Sequence, residues 1–149
     1  MNFKFRDDYD SSWVDQMISI YNQTELKRTN PEKVDRAFKN SYAVVSCWKE
    51  EKLIGIGRMI SDGEMYSAIF DVVIDPEFQK SGLGKSIMKA LAARAPHTCI
   101  HLTSTFGNEQ FYQKLGFKKH KTAMALYPET IQHSPYLEHK LDLGDKSSK

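Results

Sequence analysis

The run Asp71-Val72-Val73-Ile74-Asp75-Pro76-Glu77-Phe78-Gln79-Lys80-Ser81-Gly82-Leu83-Gly84-Lys85-Ser86 holds the residue types needed to grip an anion. An apolar strand leads into a loop, and the loop opens a helix. Gly82 and Gly84 let the backbone turn with its N–H groups inward and admit an anion at close range. The first turn of a helix adds unpaired donors and a positive dipole end. Lys80 and Lys85 add full charges. Each such contribution is worth about 0.3–1 kcal/mol, so several must converge to hold a diphosphate. Just upstream, Asp71 sits in the apolar stretch Ile69-Phe70-Asp71-Val72-Val73. An unpaired carboxylate is costly there, and burial would make it a stronger proton acceptor. Two roles stand open for Asp71: a base or amine anchor, or an acceptor of hydrogen bonds that positions its strand.

Gly82-Leu83-Gly84-Lys85-Ser86 also looks like the end of a nucleotide-binding GxxxxGK[ST] loop. That motif requires glycine five residues before Gly84, and the residue there is Gln79. Nucleotide hydrolysis is therefore disfavoured. Gln79-Lys80-Ser81-Gly82-Leu83-Gly84 instead fills every fixed position of [QR]xxGxG after a strand. About thirty residues later comes Phe111-Tyr112-Gln113-Lys114-Leu115-Gly116-Phe117.

The first segment resembles the acetyl-CoA loop of the GNAT N-acetyltransferases, and the second resembles the FYxKxGF segment of that family. The resemblance covers roughly residues 42 to 127. In detail, IFDVVIDPEFQKSGLGK is similar to the arylalkylamine and serotonin acetyltransferase-like branch. It implies a GNAT-like α/β (α+β) fold and an enzyme that moves an acetyl group from acetyl-CoA to an amine. A small-molecule amine fits better than a peptide, and no metal is called for. It implies main-chain contacts to the cofactor from Val72, Val73 and Ile74. Gln79, Lys80, Ser81, Gly82, Leu83, Gly84, Lys85 and Ser86 would hold the pyrophosphate. Tyr112 would protonate the leaving thiolate; beside it, Asp71 stays the candidate base from its apolar setting, and a backbone N–H near Val73 would face the oxyanion. Tyr42, Arg58, Tyr66 and Trp13 lie in the half that would face the acceptor, with Glu64 a weaker candidate base. The family's strand at 66–74 splays from its parallel neighbour and leaves a notch for the thioester. Many members carry Asn seven residues before the Tyr of the second motif; this chain has Thr105 there and Asn108 nearer. The competing reading is a non-catalytic CoA-binding regulatory module. Dimers are common in the family, so a homodimer is compatible with the resemblance.

The elements that must position these residues are legible from period and punctuation. Trp13, Met17, Ile20 and Tyr21 recur at helical spacing over 11–22, with Ser11 or Ser12 as cap. Asn30-Pro31 opens a second helix that ends near Asn40. Strands are expected at 42–48, 53–60 and 66–74, joined by polar turns into an antiparallel meander. The third is the most apolar and is expected to be central. A helix over 82–94 and a strand over 98–102 complete a βαβ unit with a parallel pair. A helix at 108–115 ends at Gly116, and a strand follows from Phe117 through Met124, Leu126 and Tyr127. Residues 136–141 suggest an edge strand, and 142–149 a polar tail that frays.

Composition bounds the rest. The 149 residues suit one domain, expected over 1–141. Hydrophobic residues make up 40% and charged residues 27%, ordinary globular usage that argues against disorder. A net charge of +2 with dispersed basic residues does not point to nucleic acid or membrane. The cluster Lys114, Lys118, Lys119, His120 and Lys121 is short and lacks an aromatic platform for bases. Cys47 and Cys99 form no framework and have no zinc spacing, and both are expected to be buried thiols. The polar start and the lack of a long apolar run predict a cytoplasmic protein.

Overall fold

Five strands form one sheet in the computed structural model, which describes residues 2–138. They are Lys4–Arg6 (β1), Ala43–Lys49 (β2), Lys52–Ser61 (β3), Tyr66–Ile74 (β4) and Cys99–His101 (β5). Their spatial order is β1-β2-β3-β4-β5. Every neighbouring pair is antiparallel except β4–β5, which is parallel as the crossover predicts. The helices are Val14–Asn22 (α1), Pro31–Lys39 (α2), Leu83–Ala92 (α3) and Glu109–Lys114 (α4). The backbone divides into two compact units, Met1–Thr103 and Ser104–Lys149.

Local chemistry sets the helix starts. The Asn30 side chain accepts from the Lys33 N–H at 3.1 Å, and Pro31 occupies the first turn. A single 3-10 turn, Ser11–Trp13, precedes α1, and its cap is Asp10 rather than either serine. Asp10 accepts from the Ser12 N–H at 2.8 Å.

Trp13, Met17, Ile20 and Tyr21 pack with Val34 and Phe38 of α2 against Val44, Trp48, Leu53, Ile56 and Val73. Burying each large side chain contributes about 1.5–3 kcal/mol. Trp13 belongs to this core rather than to an acceptor surface. On a strand, neighbouring side chains point to opposite faces. Ile56 faces α1, while a Cβ on Gly57 would meet Ile87 and Leu91 of α3 at 3.2 Å. Thus α3 covers the other face of the sheet.

Four expectations need correction. Among the described residues β3, not β4, is the middle strand, and the parallel pair lies at one end of the sheet instead of centrally. Residues 117–127 form no strand, and Met124 and Leu126 are 96% and 95% exposed. Lys118, Lys119, His120 and Lys121 put four polar residues in a row and break the alternation a half-buried strand needs. Residues 136–138 are not strand; the rest of that expected edge strand and the tail at 142–149 lie outside the described residues. Cys99 is exposed because its strand is outermost among the described residues, whereas Cys47 is buried. Burial pushes the Cys47 thiol up to about 11.

Two tyrosines give the first unit an alkaline limit. Tyr9 donates to Asp35 at 2.6 Å, and Tyr21 donates to the Asp71 carbonyl at 2.6 Å. Burial, foremost, raises both hydroxyls above the ordinary value of 10.0. Above pH 10 the unfolded chain has lost protons that the folded chain keeps. The tyrosines' contribution to stability is therefore full below that point and falls beyond it, by up to about 1.4 kcal/mol per pH unit per tyrosine. Urea midpoints against pH should begin to drop near pH 9, where the unfolded chain's Cys47 thiol ionises, and drop more steeply beyond about pH 10, the second drop being shallower in Tyr9→Phe. A slope unchanged by that substitution would remove Tyr9 from the account.

Candidate active site

The middle of β4 is bulged. Ile56 pairs with Val73 and Arg58 with Phe70, so Asp71 and Val72 together oppose Gly57. Asp71 takes the left-handed backbone, φ +59°, which Asp tolerates better than most residues. A side chain at Gly57 would place its Cβ 2.9 Å from Val72 Cγ2, so glycine lets β3 lie against the bulge. The Tyr21 hydroxyl holds the Asp71 carbonyl from α1.

The Asp71 carboxylate is not unpaired. Arg58 Nε donates to Oδ2 at 2.8 Å, and Arg28 Nη2 donates to Oδ1. The side chains of Asp71, Arg58 and Arg28 are 11%, 16% and 38% exposed. Arg58 also donates to Ser41 Oγ at 3.5 Å and lies over the rings of Phe38 and Phe70. Arg28 donates to the Lys27 carbonyl at 3.0 Å and lies over Tyr21. Both carboxylate oxygens are thus engaged by guanidinium donors, an arrangement that orients three side chains at once.

Beyond Ala68 the outer backbone of β4 has no β5 neighbour, while Val73 and Ile74 stay paired with β3. The parallel ladder pairs only Tyr66, Ser67 and Ala68 with Cys99, Ile100 and His101. From Ile69 to Ile74 no residue of β5 pairs with β4. Val72 and Ile74 are half-buried, while the Val73 side chain is in the core.

The loop after β4 is anchored by residues that motif reading did not find. Asp75 is buried, donates its N–H to the Ile54 carbonyl at 2.8 Å, and accepts from the Glu77 N–H at 3.0 Å. Lys52 Nζ lies 3.7 Å from Asp75 and 3.9 Å from Glu77. The Phe78 ring carries Lys49 and Lys52, each 5.6 Å from its centre. Gln79 reaches back to the Ile74 carbonyl at 3.3 Å, and Ser81 Oγ donates to the Phe78 carbonyl.

Lys80 and Gly82 then adopt positive φ, +66° and +84°, which turns the chain into α3. Nothing lies within 4 Å of where a Gly82 Cβ would be. Lys80, Ser81, Gly82, Lys85 and Ser86 are exposed, and Gly84 is half-buried. Leu83 is buried and pins the first turn, leaving its backbone as the part able to meet a ligand. Open space, first-turn amides and two lysines suit a diphosphate.

Tyr112 lies on α4 in the second unit and is half-buried. Its ring meets Phe111 and Phe117 edge-on at 5.0 and 6.2 Å. Burial raises its hydroxyl above the usual tyrosine value. Gly116 takes φ +98° at the end of α4, as the motif requires.

The structure joins Asp71 and Arg58 directly, and Arg58 reaches Ser41, which precedes Tyr42. Tyr42 is 43% exposed and rests on Gly63. Tyr66 is 57% exposed at the far end of β4, near His101. Glu64 is held in the β3–β4 turn by Asp62, which accepts its N–H at 2.8 Å. Arg28 and Tyr21 were not foreseen. Arg28 lies in the polar stretch between α1 and α2, where no periodicity singles it out, and Tyr21 read only as a core aromatic.

A model described as the acetyltransferase (GNAT) domain matches residues 8–136. An N-acetyltransferase of Pyropia yezoensis, described as uncharacterized, is 33% identical over 129 residues, 78% of this chain and 73% of that protein. The chloroplastic GCN5-related N-acetyltransferase 2 of Arabidopsis thaliana is 41% identical over 73 residues. That match takes in 47% of this chain and spans only 28% of the Arabidopsis protein. A relative with a chloroplastic name means that ordinary soluble-type composition does not fix a cytoplasmic location. The crystal structure of a Staphylococcus aureus protein, described as a probable acetyltransferase, superposes with a TM-score of 0.75 at 19% identity. It covers 86% of this chain and 99% of that one, a likeness of fold. With the bulged β4, its unpaired backbone and the glycine-containing helix start, the domain match leads to one conclusion: this chain belongs to the GNAT acetyltransferase family.

Proposed function

We propose that the chain transfers an acetyl group from acetyl-CoA to the amine of a small molecule, with residues 1–141 acting as one domain. The observation that carries this reading is the open loop at 79–86, where first-turn amides lie between the exposed Lys80 and Lys85 and follow β4 backbone that β5 does not pair. When bound, acetyl-CoA would supply a thioester carbonyl open to attack by nitrogen. Gln79 to Ser86 would hold its pyrophosphate, chiefly through backbone N–H groups. The main chain of Val72, Val73 and Ile74 would align the arm, and an N–H near Val73 would stabilise negative charge developing on oxygen.

A primary alkylamine has a pKa of about 10.4 and must shed a proton before it attacks. Asp71 was a candidate for that task. Its engagement by Arg28 and Arg58 favours the positioning role, fixing both guanidiniums and the bulge, so the amine's proton passes to solvent water. Tyr112 is assigned as proton donor to the departing sulfur, by likeness of its motif to the family segment. Tyr42 and Tyr66 would wall the acceptor. The arylalkylamine branch is supported by the sequence of β4 and its loop. A rice relative named serotonin N-acetyltransferase 2 adds support at 23% identity over 91% of this chain.

The test is turnover of acetyl-CoA with a panel of amines, read as release of free thiol. Amine-dependent release is expected. Tight CoA binding with no release for any amine would replace the enzyme by a CoA-binding regulatory module.

A further inference from the structure

The guanidiniums beside the bulge outnumber the carboxylate they share. Arg28 and Arg58 carry two positive charges and Asp71 one negative, and all three side chains are at least partly buried. No other ion pair is recorded for either arginine among the described residues. A guanidinium has five N–H donors in a planar fork. The recorded hydrogen bonds use two donors of Arg28, to Asp71 and the Lys27 carbonyl, and two of Arg58, to Asp71 and Ser41. An excess positive charge that is partly withdrawn from water, with donors to spare, is matched by an oxyanion.

The placement is specific. Asp71 immediately precedes Val72 on the strand whose outer backbone, among the described residues, has no β5 partner beyond Ala68. Phe70, 37% exposed, carries the Arg58 guanidinium over its ring. Arg28 is the more accessible cation and comes from the stretch between α1 and α2, so it can adjust to a ligand while Arg58 stays locked between Phe38 and Phe70. We propose that the acceptor carries an oxyanion, a carboxylate or a phosphate, close to its reacting amine, and that Arg28 and Arg58 select for it. This rests on the amine acetylation reading above and departs from its arylalkylamine branch, whose amines lack such an anion.

The experiment compares acceptors that differ only in the anion: tryptophan with tryptamine, tyrosine with tyramine, glucosamine 6-phosphate with glucosamine. Wild type should favour the anionic member of one series by about tenfold or more in kcat/KM. The amino-acid pairs report a carboxylate and the sugar pair a phosphate. Arg28→Gln should bring that ratio to within about twofold of unity. Lys27→Gln, an equal loss of charge on the exposed neighbour, should leave the ratio intact. Equal use of both members by wild type overturns the inference and needs no variant. So does an undiminished ratio in Arg28→Gln.

Binding separates this from the transferase reading. N-acetyltryptophan, N-acetyltryptamine and inorganic phosphate are titrated by NMR against the same three proteins. Anion binding that needs Arg28 but comes with no turnover would uphold the anion site and sink acetyl transfer. Turnover of neutral amines with no anion preference would do the reverse.

Discussion

Gly84→Asp should abolish acetyl-CoA binding and leave the fold intact. Gly84 is the second residue of α3, in the turn whose amides face the proposed pyrophosphate. A carboxylate about 5 Å from one phosphate charge, at an effective dielectric near 20, repels it by about 3 kcal/mol. That is more than a hundredfold in Kd. The same carboxylate is favourable to the helix, because acidic groups near an N-terminus contribute about 0.3–1 kcal/mol. Glycine within a helix is also weaker than most residues by up to about 1 kcal/mol. Thermal stability should therefore hold or rise while calorimetric CoA binding disappears. An affinity within twofold of wild type would retire the loop assignment.

Tyr112→Phe should lower kcat about 100-fold with little change in the KM for acetyl-CoA. The ring keeps its edge-on contacts with Phe111 and Phe117, so only the hydroxyl is lost. A donor must be protonated, and burial raises this hydroxyl above 10.0. The raised value extends the active form to higher pH, so wild-type kcat should not fall on Tyr112's account until pH passes that point. An unaltered kcat in the variant would take away its role as acid.

The fold was legible wherever local chemistry and burial agree. Asn30-Pro31 announced α2, and the β-rich, apolar runs of β2, β3 and β4 with their polar turns announced the meander. Gly82 announced the left-handed step into α3. What stayed hidden depends on contacts distant in sequence. Arg28 meets Asp71 across 43 residues, and Tyr21 meets it across 50. The bulge could not be read because glycine, its usual marker, sits on the opposite strand at Gly57. The segment after Gly116 misled because Met124 and Leu126 alternate like a strand without a face to bury.

Position 71 makes two demands that few amino acids meet together. Its φ of +59° excludes most side chains at a penalty of roughly 1–2 kcal/mol. Its two guanidinium neighbours require a negative charge. Glycine would accept the backbone and strand both cations; asparagine would do the same more gently; glutamate would bring charge to a strained backbone. Evolutionary or laboratory intolerance at this site follows from shape and charge balance alone. A dead Asp71 variant is therefore no proof that a proton ever rested there.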